Sequence, residues 1–369
     1  ILQRRLASSP EAIYQSLNRR LLRLERMLEE AKLNKRGLSE LGNLDEMTDE
    51  DVDDFYDDHT DEEAETLEDE IADRATAAQT VQELEAEISS LRELVGSAKA
   101  VRQAGEDTKW TELREILLDK PEMYEADGKT RRKIIIFTEH RDTLNYLYDQ
   151  ITTLIGDHDA VVCIHGGVKR EERRKVQERF TQDKTVSVLL ATDAAGEGVN
   201  LQRANLMINY DLPWNPNRLE QRFGRIHRIG QTEICHLWNL VAAETREGDV
   251  YARLLAKLET ESDRLEGKVF DILGQVIDNT SLRQLLLEAI QYGDRPEVRA
   301  RLHQQIDSAF DPERIKQLAE KNALASDNMT AGRVFEIKEK MERAEALRLQ
   351  PHFIFAFFDA AFTNLGGQL

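Results

Sequence analysis

The sequence has few of the residues that define several common protein classes. It contains only two cysteines, Cys163 and Cys235, so neither a disulfide framework nor a zinc site is indicated and a reducing cytoplasm is the expected compartment. No apolar stretch reaches about 18 residues, the length a helix needs to cross a bilayer, so no membrane partner is expected. The net charge of -20 argues against a generally basic nucleic-acid coat protein.

The sequence also lacks an initiator methionine, a signal peptide and the usual nucleotide-binding motifs. The chain begins at Ile1 without a methionine or a signal peptide, and its last residues, "TNLGGQL", read as the start of another element. We therefore expect a piece of a longer protein. Nowhere does it contain a GxxxxGK[ST] phosphate loop or a DExH-like run after an apolar strand. If the chain serves an ATPase, those residues are expected upstream of Ile1.

The acidic excess is concentrated in one segment. Residues 45–73 contain 17 acidic residues and no lysine or arginine, whereas residues 127–252 contain 18 residues of each sign. The middle of the chain is therefore free to bind an anion. The acidic run is expected to repel itself and to act as a solvated loop; the alternative is that it mimics a nucleic-acid backbone or binds a basic partner.

Apolar residues at steps of three and four predict helices at both ends of the chain. Residues 11–33 and 78–95 show this spacing, with Ser9 and Pro10 at the start of the first helix. Within residues 1–107 they predict an antiparallel helical hairpin that is interrupted by the acidic run. Residues 256–369 are again expected to be helical and truncated, and the aromatic segment 351–362 favours core packing over a ligand site.

The middle of the chain alternates short apolar runs with charged stretches of helical length. This alternation predicts an α/β domain, 108–255, built on a parallel sheet with helices on both faces. The predicted strands are residues 133–137, 161–165, 186–192, 206–210 and 235–241.

Glycines and polar residues follow these strands, so they are expected at one edge of the sheet, where ligands of open α/β sheets bind. The segments are "TEH", "HGG", "TDAAGEGVNLQ" and "DLPWNP". After them comes "QRFGRIHRIGQ", in which Gln221, Arg225 and Arg228 share one helical face. Two guanidinium groups and an amide on one face suit a phosphate, although a solvated basic helix is the alternative.

The succession "IIIFTEH", "IHGG", "LLATDAAGEGVNLQ", "INYDLPWNP" and "QRFGRIHRIGQ" resembles motifs IV to VI of superfamily 2 helicases. Its ending, "HRIGQ", is similar to the second RecA-like lobe of the SNF2 family, and its glycine loop is closest in style to bacterial RapA-like and DISARM SNF2-like proteins. The resemblance covers roughly residues 108–255. It implies a RecA-like fold and the use of ATP with Mg²⁺, whose ligands are expected on the absent first lobe.

The resemblance also implies roles for particular residues. Arg225 and Arg228 match the catalytic motif VI arginines that reach ATP bound on the first lobe. The residues expected beside the nucleotide are Gln221, Gly196, Glu197, Gly198 and Asn200. The residues expected to face DNA are Thr138, His165, Gly166, Thr192 and Trp214, and Trp214 is equally consistent with a packing role.

The leading hypothesis is the second motor half of a double-stranded-DNA-dependent ATPase that moves on DNA and remodels protein–DNA complexes. Its expected partners are duplex DNA, the first RecA-like lobe of the same protein and a further protein that binds the helical or acidic regions. One alternative is a non-catalytic platform that recruits a basic partner. Another is a helicase lobe that acts on RNA or single strands. The resemblance of the "RIGQ" ending to the SNF2 family argues against this alternative.

Overall fold

Five parallel strands form the sheet that the apolar runs predict. Strand β1 spans Ile134–Phe137 and pairs with β3 (Val188–Ala191) on one side and with β4 (Leu206–Asn209) on the other. Strand β2 (Val161–Ile164) pairs with β3, and β5 (His236–Asn239) pairs with β4. The strand order is therefore β2-β3-β1-β4-β5, and the predicted α/β class is confirmed.

The structure, a computed structural model, describes residues 2–34, 78, 80–105, 107–193, 201, 203–226, 234–242, 245–264, 279–293 and 295–309. These residues lie in one compact unit, Ile1–Asp311. The acidic run 45–73 and the aromatic segment 351–362 lie outside the described residues.

Both faces of the sheet are covered, which explains why its strands are continuous apolar runs rather than alternating ones. Side chains on one face, such as Ile134 and Ile136, pack with helices α4 (Thr108–Asp119) and α5 (Arg141–Ile155). Their neighbours Ile135 and Phe137 point to the opposite face. There they pack with α6 (Arg170–Gln182) and α7 (Pro216–Ile226).

The N-terminal part forms the predicted helical hairpin. Helix α1 spans Leu2–Ser8, α2 spans Pro10–Asn34 and α3 spans Val81–Ala104. A reciprocal capping box between Thr80 and Glu83 begins α3. The apolar faces of α2 and α3 pack together, and ion pairs such as Arg20–Glu87 at 2.7 Å flank that contact.

In the part of the chain that the structure describes, three further helices follow the sheet: α8 (Arg246–Arg264), α9 (Asn279–Tyr292) and α10 (Pro296–Ala309). Asp307 of α10 accepts two hydrogen bonds from Arg253 of α8, at 2.9 and 2.5 Å. The predicted helical character of residues 256–369 is thus seen in the described part of that range. Among the described helices, none has the length and apolarity required to traverse a bilayer.

Candidate functional site

The carboxyl ends of the strands bring the predicted site segments to one edge. Phe137 is in register with Ala191 and Asn209, and Ala191 is in register with Ile164. The ladder continues one residue further, because the Thr138 N–H donates to the Ala191 carbonyl at 3.0 Å and the Thr192 N–H donates to the Ile164 carbonyl at 3.1 Å. The "TEH", "HGG" and "TD" segments therefore begin side by side.

Helix α7 carries the arginine-rich segment against this edge. Leu219, Arg222 and Ile226 are 5%, 3% and 0% exposed, so they form the buried face of the helix. Gln221 is exposed and Arg225 is half-buried. Arg228 lies outside the described residues, as do Gly196, Glu197, Gly198 and Asn200. The roles of these five residues at the nucleotide remain predictions.

Arg222 ties α7 to the ends of three neighbouring strands. Its Nε and Nη2 atoms donate to the two Asp193 carboxylate oxygens, at 2.5 and 2.8 Å. Its Nη1 atom donates to Asn209 Oδ1 at 3.1 Å and to the Asp211 carbonyl at 2.7 Å. The guanidinium carbon lies 5.1 Å from the centre of the Phe137 ring. Five donors in a planar fork suit this buried, many-partnered position, which a lysine ammonium would not satisfy.

The carboxylate that faces Arg222 stays ionised. Burial by itself would raise the pKa of Asp193, but the charges of Arg222 and Arg218 more than offset that effect and lower the pKa below its usual value. Arg218, one turn earlier on α7, lies 3.5 Å from Asp193 Oδ2. Helix α7 is thus attached to the end of β3 through a charged pair with several hydrogen bonds rather than through apolar packing alone.

A second buried carboxylate joins the N-terminal helices to the same edge. Asp211 Oδ1 accepts from Lys109 Nζ of α4 at 2.7 Å, and Asp211 Oδ2 accepts from Ser8 Oγ of α1 at 2.7 Å and from Thr138 Oγ1 at 2.5 Å. We call Asp211, Lys109, Ser8 and Thr138 the Asp211 junction. Ser8 also shares a hydrogen bond with Thr143 of α5, at 2.6 Å.

The junction strongly favours the ionised form of Asp211. Burial opposes ionisation, but the Lys109 charge, the nearby His140 and the Lys109 and Thr138 donors together lower the pKa of Asp211 to about 2. A buried charge of this kind is tolerated only because its oxygens are all hydrogen-bonded. The N-terminal hairpin is consequently docked on the lobe through a specific polar contact.

Two of the residues predicted to face DNA are covered in this arrangement. Thr138 is 0% exposed and its hydroxyl is bound to Asp211, and Thr192 is 1% exposed. Neither hydroxyl is accessible to a phosphate here, which differs from the expectation of a surface position. For Thr138, sequence spacing did not reveal this burial because its partner, Asp211, lies 73 residues further along the chain. The DNA-facing role of both threonines remains a prediction.

Of the other three predicted DNA-facing residues, His165 and Trp214 are half-buried and Gly166 is buried. His165 is half-buried and its Nδ1 accepts from the Gly167 N–H at 3.1 Å. The Gly166 carbonyl accepts from Arg173 at 2.7 Å, which holds the turn against α6. Trp214 is half-buried, and the Arg4 guanidinium lies 5.1 Å from its ring centre. Trp214 therefore contacts the N-terminal helix α1, as its packing alternative anticipates.

The chemistry of the described edge fits one part of an ATP site. Gln221 and Arg225 offer amide and guanidinium donors of the kind that bind phosphate oxygens. Among the residues that the structure describes, no group of three or more His, Cys, Asp or Glu side chains is arranged to hold a metal ion. Asp193 and Asp211, two largely covered carboxylates at this edge, are already engaged by arginine and lysine.

Sequence reasoning missed Arg222, Asp193 and the Asp211 junction. The signal for Arg222 was present, because it stands between Leu219 and Ile226 on the apolar stripe of a helix, where a charge requires a buried partner. Nothing in the sequence identifies that partner as Asp193 or connects Ser8 to Asp211, which lies 203 residues further along the chain.

Comparison with known proteins relates the middle of the chain to helicases. Residues 108–230 match the helicase conserved C-terminal domain. The "Uncharacterized ATP-dependent helicase YqhH" of Bacillus subtilis is 42% identical over 144 residues, which make up 39% of this chain and 25% of that protein. The "ATP-dependent DNA helicase DDM1" of Arabidopsis thaliana is 36% identical over 132 residues, 35% of this chain and 17% of that protein. The matched segment thus spans a quarter or less of either relative.

The match to a solved structure, the C-terminal part of the Fun30 ATPase domain, covers 66% of this chain and 84% of that chain at 17% identity, with a TM-score of 0.36. The parallel sheet, the motif segments along its carboxyl edge and the helicase relatives agree with one another. Residues 108–230 are therefore similar to the C-terminal lobe of SNF2-like superfamily 2 helicases.

Proposed function

We propose that this chain supplies the second motor lobe of an ATPase that is stimulated by double-stranded DNA, moves along the duplex and remodels protein–DNA complexes. The observation that carries the proposal is the two-sided build of α7. One side presents Gln221 and half-buried Arg225, and the other side fastens the helix to the sheet through Arg222. A helix that only solubilised the protein would not need a buried charged anchor.

In the proposed reaction, Arg225 and Arg228 stabilise the charge that develops on the transferring phosphoryl group, and Gln221 helps to order the same interface. Phosphoryl transfer is catalysed mainly by positioning and by electrostatic stabilisation, for which preorganised guanidinium groups are suited. Gly196, Glu197, Gly198 and Asn200 are assigned to the nucleotide side of the cleft. The Mg²⁺ ligands and the phosphate loop are assigned to the first lobe.

Duplex DNA is the proposed polymer, with half-buried His165 and Trp214 as more accessible candidate contacts than the buried Gly166, Thr138 and Thr192. One relative is named a DNA helicase, which supports DNA over RNA. The non-catalytic platform is the weaker alternative because a platform has no use for the arginine face. We expect the further protein partner, if one binds, to use the helical or acidic regions.

Comparing the isolated chain with the full-length protein tests this proposal. We expect the full-length protein to hydrolyse ATP with stimulation by duplex DNA, and the isolated 369-residue chain to hydrolyse ATP negligibly, because its arginines have no preorganised phosphate opposite them. Steady-state phosphate release is measured with duplex DNA, single-stranded DNA and RNA. Sustained DNA-stimulated turnover by the isolated chain would contradict the assignment of the phosphate loop and the Mg²⁺ ligands to the first lobe. Stronger stimulation by RNA would favour the alternative of a lobe that acts on RNA or single strands.

The acidic run gives a separate prediction. Its 17 carboxylates between Asp45 and Asp73 lower the local concentration of polyanions, an effect that salt screens beyond about 8 to 10 Å. Replacing residues 45–73 with a neutral Gly/Ser linker of equal length is therefore expected to tighten duplex binding, most at low salt. Titrations at several salt concentrations measure this. Identical curves for the two proteins at low salt would leave the run with a solubilising role only.

A further inference from the structure

Helix α7 must be held in one rotation on the sheet for Arg225 to point consistently at a ligand. Leu219 and Ile226 bury the helix, but apolar packing is non-directional. The bidentate pair of Arg222 with Asp193 is directional, because the two N–H groups of a planar fork match the two carboxylate oxygens in one orientation. Arg222 lies near Arg225 on the same helix, three positions and about 4.5 Å of rise away.

The remaining Arg222 contacts oppose sliding of the helix. Hydrogen bonds to Asn209 Oδ1 and to the Asp211 carbonyl attach the same guanidinium to the end of β4. Asn209 in turn donates to Asn239 Oδ1, at 2.7 Å, at the end of β5. A shift of α7 along the edge would therefore break contacts to β3 and β4 together. Because Arg222 is only 3% exposed, water could not replace the lost hydrogen bonds.

We propose that Arg222 and Asp193 are positioning residues that hold α7 in the orientation in which Arg225 acts on phosphate. The pair touches neither ATP nor DNA; it acts through Arg225. This inference rests on the proposed function of Arg225. It differs from an ordinary structural salt bridge because its loss is expected to impair the chemical step more than folding or DNA binding.

The first test is Asp193→Asn in the full-length protein, which keeps the side-chain volume and removes the charge. We expect kcat for ATP to fall by about 10²-fold, the loss that a misplacement of about 1 Å can cause. KM for ATP and duplex affinity are expected to change by less than about threefold, because these arise from groups elsewhere. Arg222→Lys is expected to lower kcat similarly, since an ammonium keeps the charge but cannot make the bidentate contact.

Asp307→Asn is the matched control. It removes the carboxylate from another bidentate arginine pair, with Arg253, that joins α8 to α10 away from the sheet edge. We expect this variant to turn over ATP at the unaltered rate. Thermal unfolding of every variant shows whether a lost activity follows from a lost fold.

A double variant separates positioning from general damage. If Asp193 acts through Arg225, adding Asp193→Asn to Arg225→Ala lowers single-turnover hydrolysis no further than Arg225→Ala alone. Multiplicative losses, equal losses of duplex affinity, or an unchanged kcat in Asp193→Asn would each overturn the proposal. If Asp193→Asn fails to fold, Arg222→Lys is introduced instead, both into the wild-type protein and into Arg225→Ala, and gives the same comparison. If Arg225→Ala itself leaves turnover unchanged, the proposed function of α7 is what fails.

Discussion

Replacing Arg225 with alanine in the full-length protein is expected to reduce ATP turnover by about 10³-fold or more, the range in which an arginine stabilises a phosphoryl-transfer transition state. The reason is geometric as well as electrostatic. Arg225 is half-buried on α7, three residues after the Arg222 anchor, so the backbone that carries it is fastened to the sheet. Arg228→Ala is expected to have an effect of the same order. The measurement is kcat and KM for ATP at saturating duplex DNA.

Duplex affinity is the internal control for the Arg225 variant, since we assign this side chain to nucleotide rather than to DNA. It is expected to remain within about twofold, because a contact made only in the transition state leaves ground-state binding unchanged. Arg174→Ala, which removes an exposed arginine on α6, serves as a matched substitution and is expected to leave turnover intact. An Arg225→Ala protein that hydrolyses ATP normally but no longer binds duplex DNA would reverse the assignment of the two faces.

Breaking the Asp211 junction is expected to cause the largest loss of stability. Lys109→Met keeps most of the side-chain length but leaves the buried Asp211 carboxylate without its cation, a change that typically costs about 3 to 5 kcal/mol. The free energy of unfolding from urea denaturation measures this loss. Arg174→Met, which removes one partner of an exposed pair with Glu178, is the control and is expected to cost less than about 0.5 kcal/mol. Equal effects of the two substitutions would contradict the importance assigned to the junction.

Acid is expected to remove the same stabilisation. Asp211 has a pKa of about 2 in the folded protein against 3.8 for the ordinary group, so the folded state holds its proton less tightly than the unfolded state. Ionised Asp211 therefore contributes about 2 kcal/mol to the free energy of unfolding. This contribution is fully present above the unfolded-state pKa and is lost as the pH falls through the folded-state pKa. The stability difference between the wild-type protein and Lys109→Met should shrink as the pH is lowered from about 6 toward 2. A difference that stays constant over this range would contradict the assigned cause.

The architecture of the lobe was predictable because it depends on patterns that are local in the chain. Continuous apolar runs such as 134–137 require burial on both faces, and this requirement selects a parallel sheet between helices. The hairpin helices followed from apolar spacing for the same reason. Strand ends carry their following residues to one edge whatever the strand order, so the convergence of Thr138, His165 and Thr192 was also predictable.

Burial of individual polar side chains at that edge was decided only by the tertiary structure. Thr138 reads from the sequence as a surface hydroxyl, yet it is buried and donates to Asp211, at the end of β4, which also accepts from Ser8 of α1. Arg222 reads as one of several basic residues, and only the packing of α7 shows that it faces Asp193 instead of solvent. The physical reason is that hydrophobic periodicity reports which face of an element is buried, whereas the partner of a buried charge is determined by contacts between residues remote in the chain. The sequence by itself therefore determined the fold and the edge that carries the site. The tertiary structure decided which charges at that edge anchor the protein and which remain on the outward face of α7.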